Sequence, residues 1–375
     1  MPRWFIALFV LLLLPILTTG SLAQSRGIAG RPAPAWQVDN WFNLPKGTET
    51  LDVTDLKGKV IYLYGFQSWC PGCHSRGFPT LKALVEKYKG NDEVAFVAVQ
   101  TVFEGYATNT PAKAKSTGER YELDIPIGHS GRSGKPSQLM RSYRTGGTPW
   151  TIIIDRDGVV RYNDFHITPE QGKKVIDTLL KAPAKSTTNI EIETLPAARG
   201  GQDLIGTKFP ALKLDRWARQ GTLNKKKPKA TLYRWWTDGC PWCEASLPAI
   251  ETLRKKYGKA GLRTVAVYHP KPPQPETDEV ILAAAKEYKY GGDVAVDLDW
   301  SELKRAYLDS GDRGATSVSI LVDDKGVIRF LHPGPVFHPS QDPEKAQQDR
   351  DYRLLEAAIQ SLVTEPVTNS ASGSR

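Results

Sequence analysis

Cysteine is scarce in this chain, and the few cysteines present are distributed in a regular way. Only four occur in 375 residues, and they form two pairs with the same spacing, Cys70 with Cys73 and Cys240 with Cys243. No cysteine lies outside these pairs. In particular, none lies directly after the apolar N-terminal segment, where a cysteine that carries a lipid anchor is expected. Any chemistry that depends on sulfur must therefore use one pair or both.

The apolar run near the N-terminus, Trp4–Leu17, is too short to span a membrane comfortably. It follows a single charge, Arg3, and precedes the small residues Ser21-Leu22-Ala23, a pattern typical of a signal peptide over residues 1–23. We expect cleavage after Ala23, no stable membrane span afterwards, and a periplasmic or secreted protein; a retained N-terminal anchor is the alternative. Export leads to a compartment where disulfides persist.

Clusters of charge that would favour nucleic acid are also lacking. Lys and Arg exceed Asp and Glu by 50 to 41, which gives a formal net charge of +9. The densest basic run, Asn224–Lys229, contains a proline and no interleaved aromatic residue. This composition is typical of a solvated loop and argues against nucleic acid as a partner.

The first cysteine pair lies between a predicted strand and a predicted helix. Val60–Phe66 is a short apolar run rich in β-branched and aromatic residues, which indicates a buried strand. An apolar stripe with helical spacing follows the pair from Phe78 onward. A thiol at the start of a helix faces unpaired N–H groups and the positive end of the helix dipole. Both favour the thiolate, which is the form that attacks a disulfide.

The second half of the chain repeats the first. Ala230–Trp236 is a second apolar run ending at the second pair, and a second helical stripe follows. Residues 146–161 align with residues 314–329, with seven of the sixteen positions identical. This internal repeat predicts two domains, at residues 31–181 and 204–363, with a linker at 182–203 and a disordered tail at 364–375.

Strands alternate with helices in each half, and each half ends in a hairpin followed by a helix. This order predicts an α/β fold with a mixed central sheet flanked by helices. A short hairpin is expected over Trp36–Asp55. Further strands are predicted at 93–102, 151–155, 159–162, 262–268, 294–296, 318–323 and 327–330, and helices at 112–121, 137–143, 168–180, 276–288, 300–308 and 352–362.

The motifs resemble those of the thioredoxin superfamily, and more narrowly the exported TlpA/ResA-like redoxins. The resemblance covers both halves and rests on Cys70-Pro71-Gly72-Cys73, Trp69 before it, Thr148-Pro149 before a later strand, Ala33-Pro34 and Leu56-Lys57-Gly58-Lys59. It implies two tandem thioredoxin-like domains. It also implies that Thr148–Pro149 is a cis bond packed beside the cysteine pair, with Trp69, Pro71, Thr148 and Pro149 contacting a substrate chain.

The resemblance further implies a thiol–disulfide oxidoreductase acting on cysteine pairs of other exported proteins, together with a redox donor or acceptor protein. Cys70 would be the exposed nucleophile, and the more buried Cys73 would resolve the mixed disulfide. Tyr64 occupies the place where thioredoxins carry a buried carboxylate, so this domain lacks that acid. Reductase, oxidase and isomerase all remain open, because they use the same residues at different potentials.

The second domain departs from the family pattern. Ser317 replaces the proline, Gly239 replaces the tryptophan, and Arg234 precedes Cys240 by six residues. Three uses of Cys240 and Cys243 remain open: a second active pair, a relay to the first pair, or a structural disulfide. A non-catalytic binding module with structural or metal-binding cysteines is the alternative for the whole chain, although no metal-ligand spacing surrounds the cysteines.

His74 has two interpretations. Cys70–His74 spells Cys-x-x-Cys-His, the attachment pattern for haem. Met140 is the only methionine after the signal segment, and Glu244 follows the second pair where a histidine would be needed. We therefore expect no organic cofactor, and interpret His74 as a solvent-facing helix residue that favours the thiolate.

Overall fold

The computed structural model describes residues 27–182, 200–221, 227–309, 313–334 and 336–364. The predicted signal peptide, most of the linker and nearly all of the C-terminal tail lie outside these ranges, as does the first half of the basic run. Within the described ranges, no helix combines the length and the apolar character needed to cross a bilayer.

Each half forms one mixed sheet of six strands. The order in the first sheet is β1-β4-β3-β2-β5-β6, with β2, β3 and β4 parallel and the others antiparallel to their neighbours. Its strands are β1 (Asn40–Phe42), β2 (Val60–Phe66), β3 (Val94–Thr101), β4 (Ile127–Ser130), β5 (Trp150–Ile154) and β6 (Val160–Asp164).

The second sheet has the same topology as the first. The order in the second sheet is β7-β10-β9-β8-β11-β12, which is the first order with six added to each strand number. The parallel and antiparallel pairings also agree. Its strands are β7 (Arg216–Arg219), β8 (Ala230–Trp236), β9 (Leu262–Tyr268), β10 (Asp293–Val296), β11 (Ser319–Asp323) and β12 (Ile328–His332). The predicted duplication and the two thioredoxin-like domains are confirmed.

Helices cover the sheets. In the first domain they are α1 (Phe78–Lys87), α2 (Pro111–Arg120), α3 (Gln138–Ser142) and α4 (Pro169–Lys181). In the second domain they are α5 (Pro241–Tyr257), α6 (Asp278–Glu287), α7 (Ser301–Leu303) and α8 (Ala346–Val363). The predicted start of α4 is confirmed, because Thr168 caps it with a reciprocal bond to Gln171 and Pro169 occupies its first position.

Alternate side chains of β2, a central strand of the first sheet, point into two different cores. Tyr62, Tyr64 and Phe66 face α1 and α4, whereas Ile61 and Leu63 face the layer that contains α3. Because the strand is buried on both faces, it reads as a continuous apolar run. The side chain of Tyr64 consequently lies on the same face as the helix that follows the first cysteine pair.

Two details of the predicted elements are wrong. Trp36–Asp55 is not a hairpin, because its only strand, β1, pairs with β4 instead of with a neighbour inside the segment. Strands β4 and β7, of four residues each, were not anticipated. The edge strands β1 and β7 extend the two sheets in equivalent places.

Candidate active site

The first cysteine pair lies where β2 gives way to a helix, as predicted. The backbone N–H of Cys73 donates to the carbonyl oxygen of Cys70 at 3.1 Å and approaches its Sγ at 3.4 Å. The next turn, Cys73–Gly77, is widened to π-helical hydrogen bonding before α1 begins. The sulfur of Cys70 therefore accepts a backbone N–H from the first turn of the helix, which favours its ionised form.

The two thiols of this pair differ in acidity. Burial by itself raises the pKa of Cys70, but hydrogen bonds from the side chain and backbone of Cys73 outweigh it and hold that pKa below its ordinary value. Burial, together with the hydrogen bond and charge of Cys70, raises the pKa of Cys73 well above its ordinary value. Cys70 is thus the thiol suited to attack and Cys73 the one that keeps its proton, the same assignment that the family resemblance implies.

The predicted substrate-binding residues lie around this pair. The Thr148–Pro149 peptide bond is cis, as expected. The Cys70 thiol donates to the carbonyl oxygen of Thr148 at 3.5 Å. A β-carbon placed on Gly72 would lie 3.2 Å from Cδ of Pro149. The structure therefore brings Thr148 and Pro149 against the cysteine motif, although their role toward a substrate stays a prediction.

The expectation that Cys70 is exposed is wrong. Only 4% of Cys70 is accessible, compared with 0% of Cys73, so the predicted order of burial holds but both thiols are buried. The second domain packs against the residue before Cys70. The ring of Trp69 meets that of Trp300 edge to face with centroids 5.7 Å apart, and the Nζ of Lys271 lies 5.6 Å from the centroid of the Trp69 ring. Trp69 is therefore already engaged by the chain itself, while Pro71 remains half-buried.

The expectation that His74 faces solvent is also wrong. Its Nδ1 lies 2.8 Å from the hydroxyl of Tyr121 and its Nε2 lies 2.7 Å from the carbonyl oxygen of Ser68. Burial lowers the pKa of His74, which keeps the ring neutral. Its two nitrogens hold the helix start against α2 and the loop before Cys70. For His74 to bind a haem iron, one of these two hydrogen bonds would have to break.

Tyr64 takes the place of the missing carboxylate. It is completely buried, and its hydroxyl donates to the carbonyl oxygen of Cys73 at 3.4 Å. A β-carbon on Gly77 would lie only 1.9 Å from that hydroxyl oxygen, so glycine is required there for the tyrosine to fit beneath the helix. Tyr64 supports the backbone of the motif and supplies no acid, because burial raises its pKa well above the ordinary value.

An acid nevertheless reaches the site from another element. Glu104 lies in the loop after β3 and is buried; burial raises its pKa, and the neighbouring charge of Lys271 lowers it in part. Its charge acts on the Cys70 thiol. Sequence reasoning missed both Glu104 and Lys271. The available signal was position: both follow buried strands at the edge of the sheet where the cysteines lie.

The second pair has the same local geometry but the opposite electrostatics. The N–H groups of Cys243 and Glu244 donate to the carbonyl oxygen of Cys240 at 3.0 Å each, which begins α5. Burial raises the pKa of Cys240, and its hydrogen bond with Cys243 raises it further. Burial also opposes ionisation of Cys243, but the bond from Cys240 and the charges of Arg234 and Lys271 lower its pKa well below the ordinary value.

Two departures from the family pattern contribute to this reversal. The Thr316–Ser317 bond is trans, and the Oγ of Ser317 lies 3.5 Å from the Sγ of Cys243. Arg234 is fully buried and donates to the carbonyl oxygen of Ser317 at 2.7 Å. The serine and the arginine thus place a hydroxyl and a cation beside Cys243. All four cysteines are free thiols.

Among the described residues, no group of three or more His, Cys, Asp or Glu side chains has the arrangement of a metal site. One cleft of the described residues lies away from the cysteines, between β1, β4 and the loop before α3, and is lined in part by Trp36, Asp52 and Lys135.

Comparison with known proteins agrees with the geometry. Thiol-disulfide oxidoreductase ResA of Bacillus cereus is 28% identical over 110 residues, 29% of this chain and 57% of its own length. Nucleoredoxin of Danio rerio is 27% identical over 142 residues, 38% of this chain and 30% of its own length. The chain therefore spans little more than half of the first relative and less than a third of the second.

Among solved structures, a thioredoxin-like superfamily protein is 34% identical and covers 41% of this chain and 98% of its own, with a TM-score of 0.38. A thiol-disulfide isomerase from Corynebacterium glutamicum is 28% identical and covers 40% of this chain and 98% of its own, with a TM-score of 0.36. The Redoxin family matches residues 28–180 and again residues 204–348. The chain belongs to the redoxin family and contains its domain twice.

Proposed function

We propose that the protein is a thiol–disulfide oxidoreductase that exchanges disulfides with cysteine pairs of other proteins through Cys70 and Cys73. The observation that carries this proposal is the placement of the Cys70 sulfur, 3.4 Å from the backbone N–H of Cys73 and 3.5 Å from the carbonyl oxygen of Thr148. The first contact favours the thiolate. The second places the sulfur beside a backbone that an extended substrate chain can pair with.

The exchange takes place in two displacements. The Cys70 thiolate attacks one sulfur of a substrate disulfide, forms a mixed disulfide and releases the other substrate sulfur as a thiolate. Cys73 then loses its proton and attacks Cys70, which releases the second substrate thiolate and leaves the Cys70–Cys73 disulfide. The released substrate sulfurs take up protons. Two electrons pass to the substrate, and the reverse sequence oxidises it.

A protein substrate reaches Cys70 only if the two domains separate. Trp300 and Lys271 of the second domain pack on Trp69, the residue before Cys70. Contacts between domains of one chain resemble transient interfaces, so relative movement is the ordinary expectation. The closed arrangement thus limits access to Cys70 without removing the chemistry.

The proposed location is outside the cytoplasm, periplasmic or secreted, with exported proteins as substrates. The support is the signal-like segment at residues 1–23 and the oxidising compartment that export implies. A redox donor or acceptor protein would restore the pair after each exchange. The rival proposal is a binding module with inert cysteines, which the burial of all four thiols favours.

A single-turnover assay separates these proposals. The wild type, Cys70→Ala and Cys240→Ala proteins are fully reduced, freed of reductant and mixed with excess insulin. The loss of thiols from each of these proteins, as distinct from the thiols gained by insulin, is followed by mass spectrometry after alkylation. We expect the wild type and Cys240→Ala to reduce insulin disulfides and Cys70→Ala to fail. A wild type that transfers no electrons, while folded and fully reduced, would support the binding module.

A further inference from the structure

We propose that the second cysteine pair is the internal redox partner of the first, and that Cys70 and Cys240 exchange a disulfide directly across the interface between the two domains. This inference rests on the proposed function, because it requires Cys70 to be an attacking sulfur. It assigns a role to the pair that the sequence leaves open.

Equivalent loops of the two domains contact each other's cysteine motifs. Phe103 follows β3, and its ring meets that of Trp242, inside the second motif, with centroids 4.5 Å apart. Lys271 follows β9, and its Nζ lies 5.6 Å from the ring of Trp69, which immediately precedes Cys70. The domains therefore meet through the edges of the sheets that carry the cysteines, with one motif facing the other.

One carboxylate interacts with the first cysteine of both motifs. The charge of Glu104 raises the pKa of Cys70 and also that of Cys240. Lys271 neutralises Glu104 through an ion pair of 3.2 Å and acts on both sulfurs of the second pair. A single buried acid is thus shared between the cysteine sites of the two domains.

The substrate side of the first motif is occupied by the second domain. A β-carbon on Gly72 would lie 3.2 Å from Cδ of Pro149 and 3.8 Å from Cα of Gly314. Gly314 belongs to the segment that precedes β11, the counterpart of the segment that carries Thr148. This domain therefore lies where an outside chain would have to bind, so the closed arrangement is suited to exchange between the two pairs.

The exchange balances within the chain. Beginning with a reduced first pair and an oxidised second pair, the Cys70 thiolate attacks Cys240, forms the Cys70–Cys240 bond and releases Cys243 as a thiolate beside Arg234. Cys73 then gives its proton to the Glu104 carboxylate and attacks Cys70, which closes the first disulfide and releases Cys240 as a thiolate. Glu104 passes that proton on to Cys240. Two electrons have moved to the second pair and one proton from Cys73 to Cys240; the reverse transfer follows the same path.

The acidities of the thiols fit this path. The two sulfurs that ionise most easily, Cys70 and Cys243, are the attacking and the leaving atoms of the first displacement. The two that hold their protons, Cys73 and Cys240, are the donor and the acceptor of the transferred proton. The reversed electrostatics of the second pair therefore complement those of the first.

A trapping experiment tests the contact between the sulfurs. In the full-length Cys73→Ser/Cys243→Ser protein only Cys70 and Cys240 remain. Oxidised glutathione should convert them to an intramolecular disulfide, seen as the loss of two hydrogen atoms from the monomer mass and as a linked peptide pair. The rate should not depend on protein concentration, because the two thiols are held in one chain. Circular dichroism verifies folding.

The matched control is Cys70→Ser/Cys243→Ser, which also keeps one thiol in each domain, Cys73 and Cys240, and should not crosslink. In the trapping background, Glu104→Gln should slow crosslinking by roughly 100-fold, the lower end of what a positioned acid–base group contributes. Glu86→Gln, an exposed carboxylate on α1, should leave the rate unchanged.

Failure to crosslink in a folded protein, crosslinking only between molecules, or equal rates in the control would overturn the relay. These results are separable from failure of the proposed function. If Cys240→Ala still reduces insulin in a single turnover, while Cys70 and Cys240 do not crosslink in the Cys73→Ser/Cys243→Ser protein, the relay is wrong and the proposed oxidoreductase activity stands. If Cys70 and Cys240 do crosslink, while the wild type never reacts with an external disulfide, the relay stands and the proposed activity is wrong.

Discussion

Glu104 of the first domain and Lys271 of the second form an ion pair of 3.2 Å, with only 3% and 5% of their side chains exposed. Both charges would be hydrated if the domains were apart, so each is retained in the interface because the other is present. Removing one partner of a buried pair is far more damaging than removing both, since it leaves an uncompensated charge. This pair is therefore the most sensitive point at which to perturb the closed arrangement.

Replacing Lys271 with methionine should open the interface. The unpaired Glu104 carboxylate would weaken domain docking by about 3–5 kcal/mol, and Cys70 should react faster with a maleimide attached to a large polymer. Lys82→Met is the control, because its partner Glu122 is 81% exposed and an exposed pair contributes at most about 1 kcal/mol. Equal labelling rates in the two variants would show that the ion pair does not hold the domains together.

Ionisation of the reduced protein should take place in separate steps. Cys70 and Cys243 have lowered pKa values, so they remain thiolates as the pH falls through the range near 8.5 in which an ordinary cysteine becomes protonated. Cys73 and Cys240 have raised values and stay protonated over that range. The ultraviolet absorbance of thiolate should therefore show a first step below the ordinary position, reduced in Cys70→Ala. A single step at the ordinary position would contradict these assignments.

The charge of Arg234 should contribute to the acidity of Cys243. In a Cys70→Ala/Cys73→Ala background, where only the second pair titrates, Arg234→Met should raise the pKa of Cys243, because a neighbouring cation is lost. Arg234→Lys keeps the charge and should retain most of the lowering. Thiolate absorbance measures both. An unchanged titration in Arg234→Met would mean that the helix start and Ser317 suffice.

Gly77 should tolerate no side chain beneath the widened helical turn. Alanine there would place its β-carbon 1.9 Å from the hydroxyl oxygen of the fully buried Tyr64. We expect Gly77→Ala to lower the free energy of unfolding of the first domain by about 1–3 kcal/mol, as overpacking does. Adding Tyr64→Phe removes the closest atom and should recover part of the loss. Denaturant unfolding measures both, and a neutral Gly77→Ala would refute the fit described here.

Much of the fold was predictable because the central strands are buried on both faces. Val60–Phe66 and Ala230–Trp236 have the bounds expected from their apolar runs. The short strands β4 and β7 were missed because Ile127–Ser130 and Arg216–Arg219 are not continuous apolar runs. The internal repeat fixed the number of domains, since equivalent positions can be compared without any knowledge of the structure.

The relation between the domains was not predictable in the same way. Glu104 and Lys271 are single charged residues in loops, and nothing in the local pattern indicates that they meet. The expected exposure of Cys70 followed from treating each domain alone. The motif determines that its thiol lies at the edge of a sheet, whereas the docking of a second domain decides whether that edge is open.

The most direct test of the account is to trap Cys70 in the act of exchange. The reduced Cys73→Ser/Cys240→Ser protein, mixed with an aromatic disulfide, should accumulate a stable mixed disulfide, because neither Cys73 nor Cys240 is present to displace it. Peptide mapping by mass spectrometry should place the adduct on Cys70. An adduct confined to Cys243, or a Cys70 that stays unmodified in the folded protein, would contradict the claim that Cys70 is the attacking sulfur.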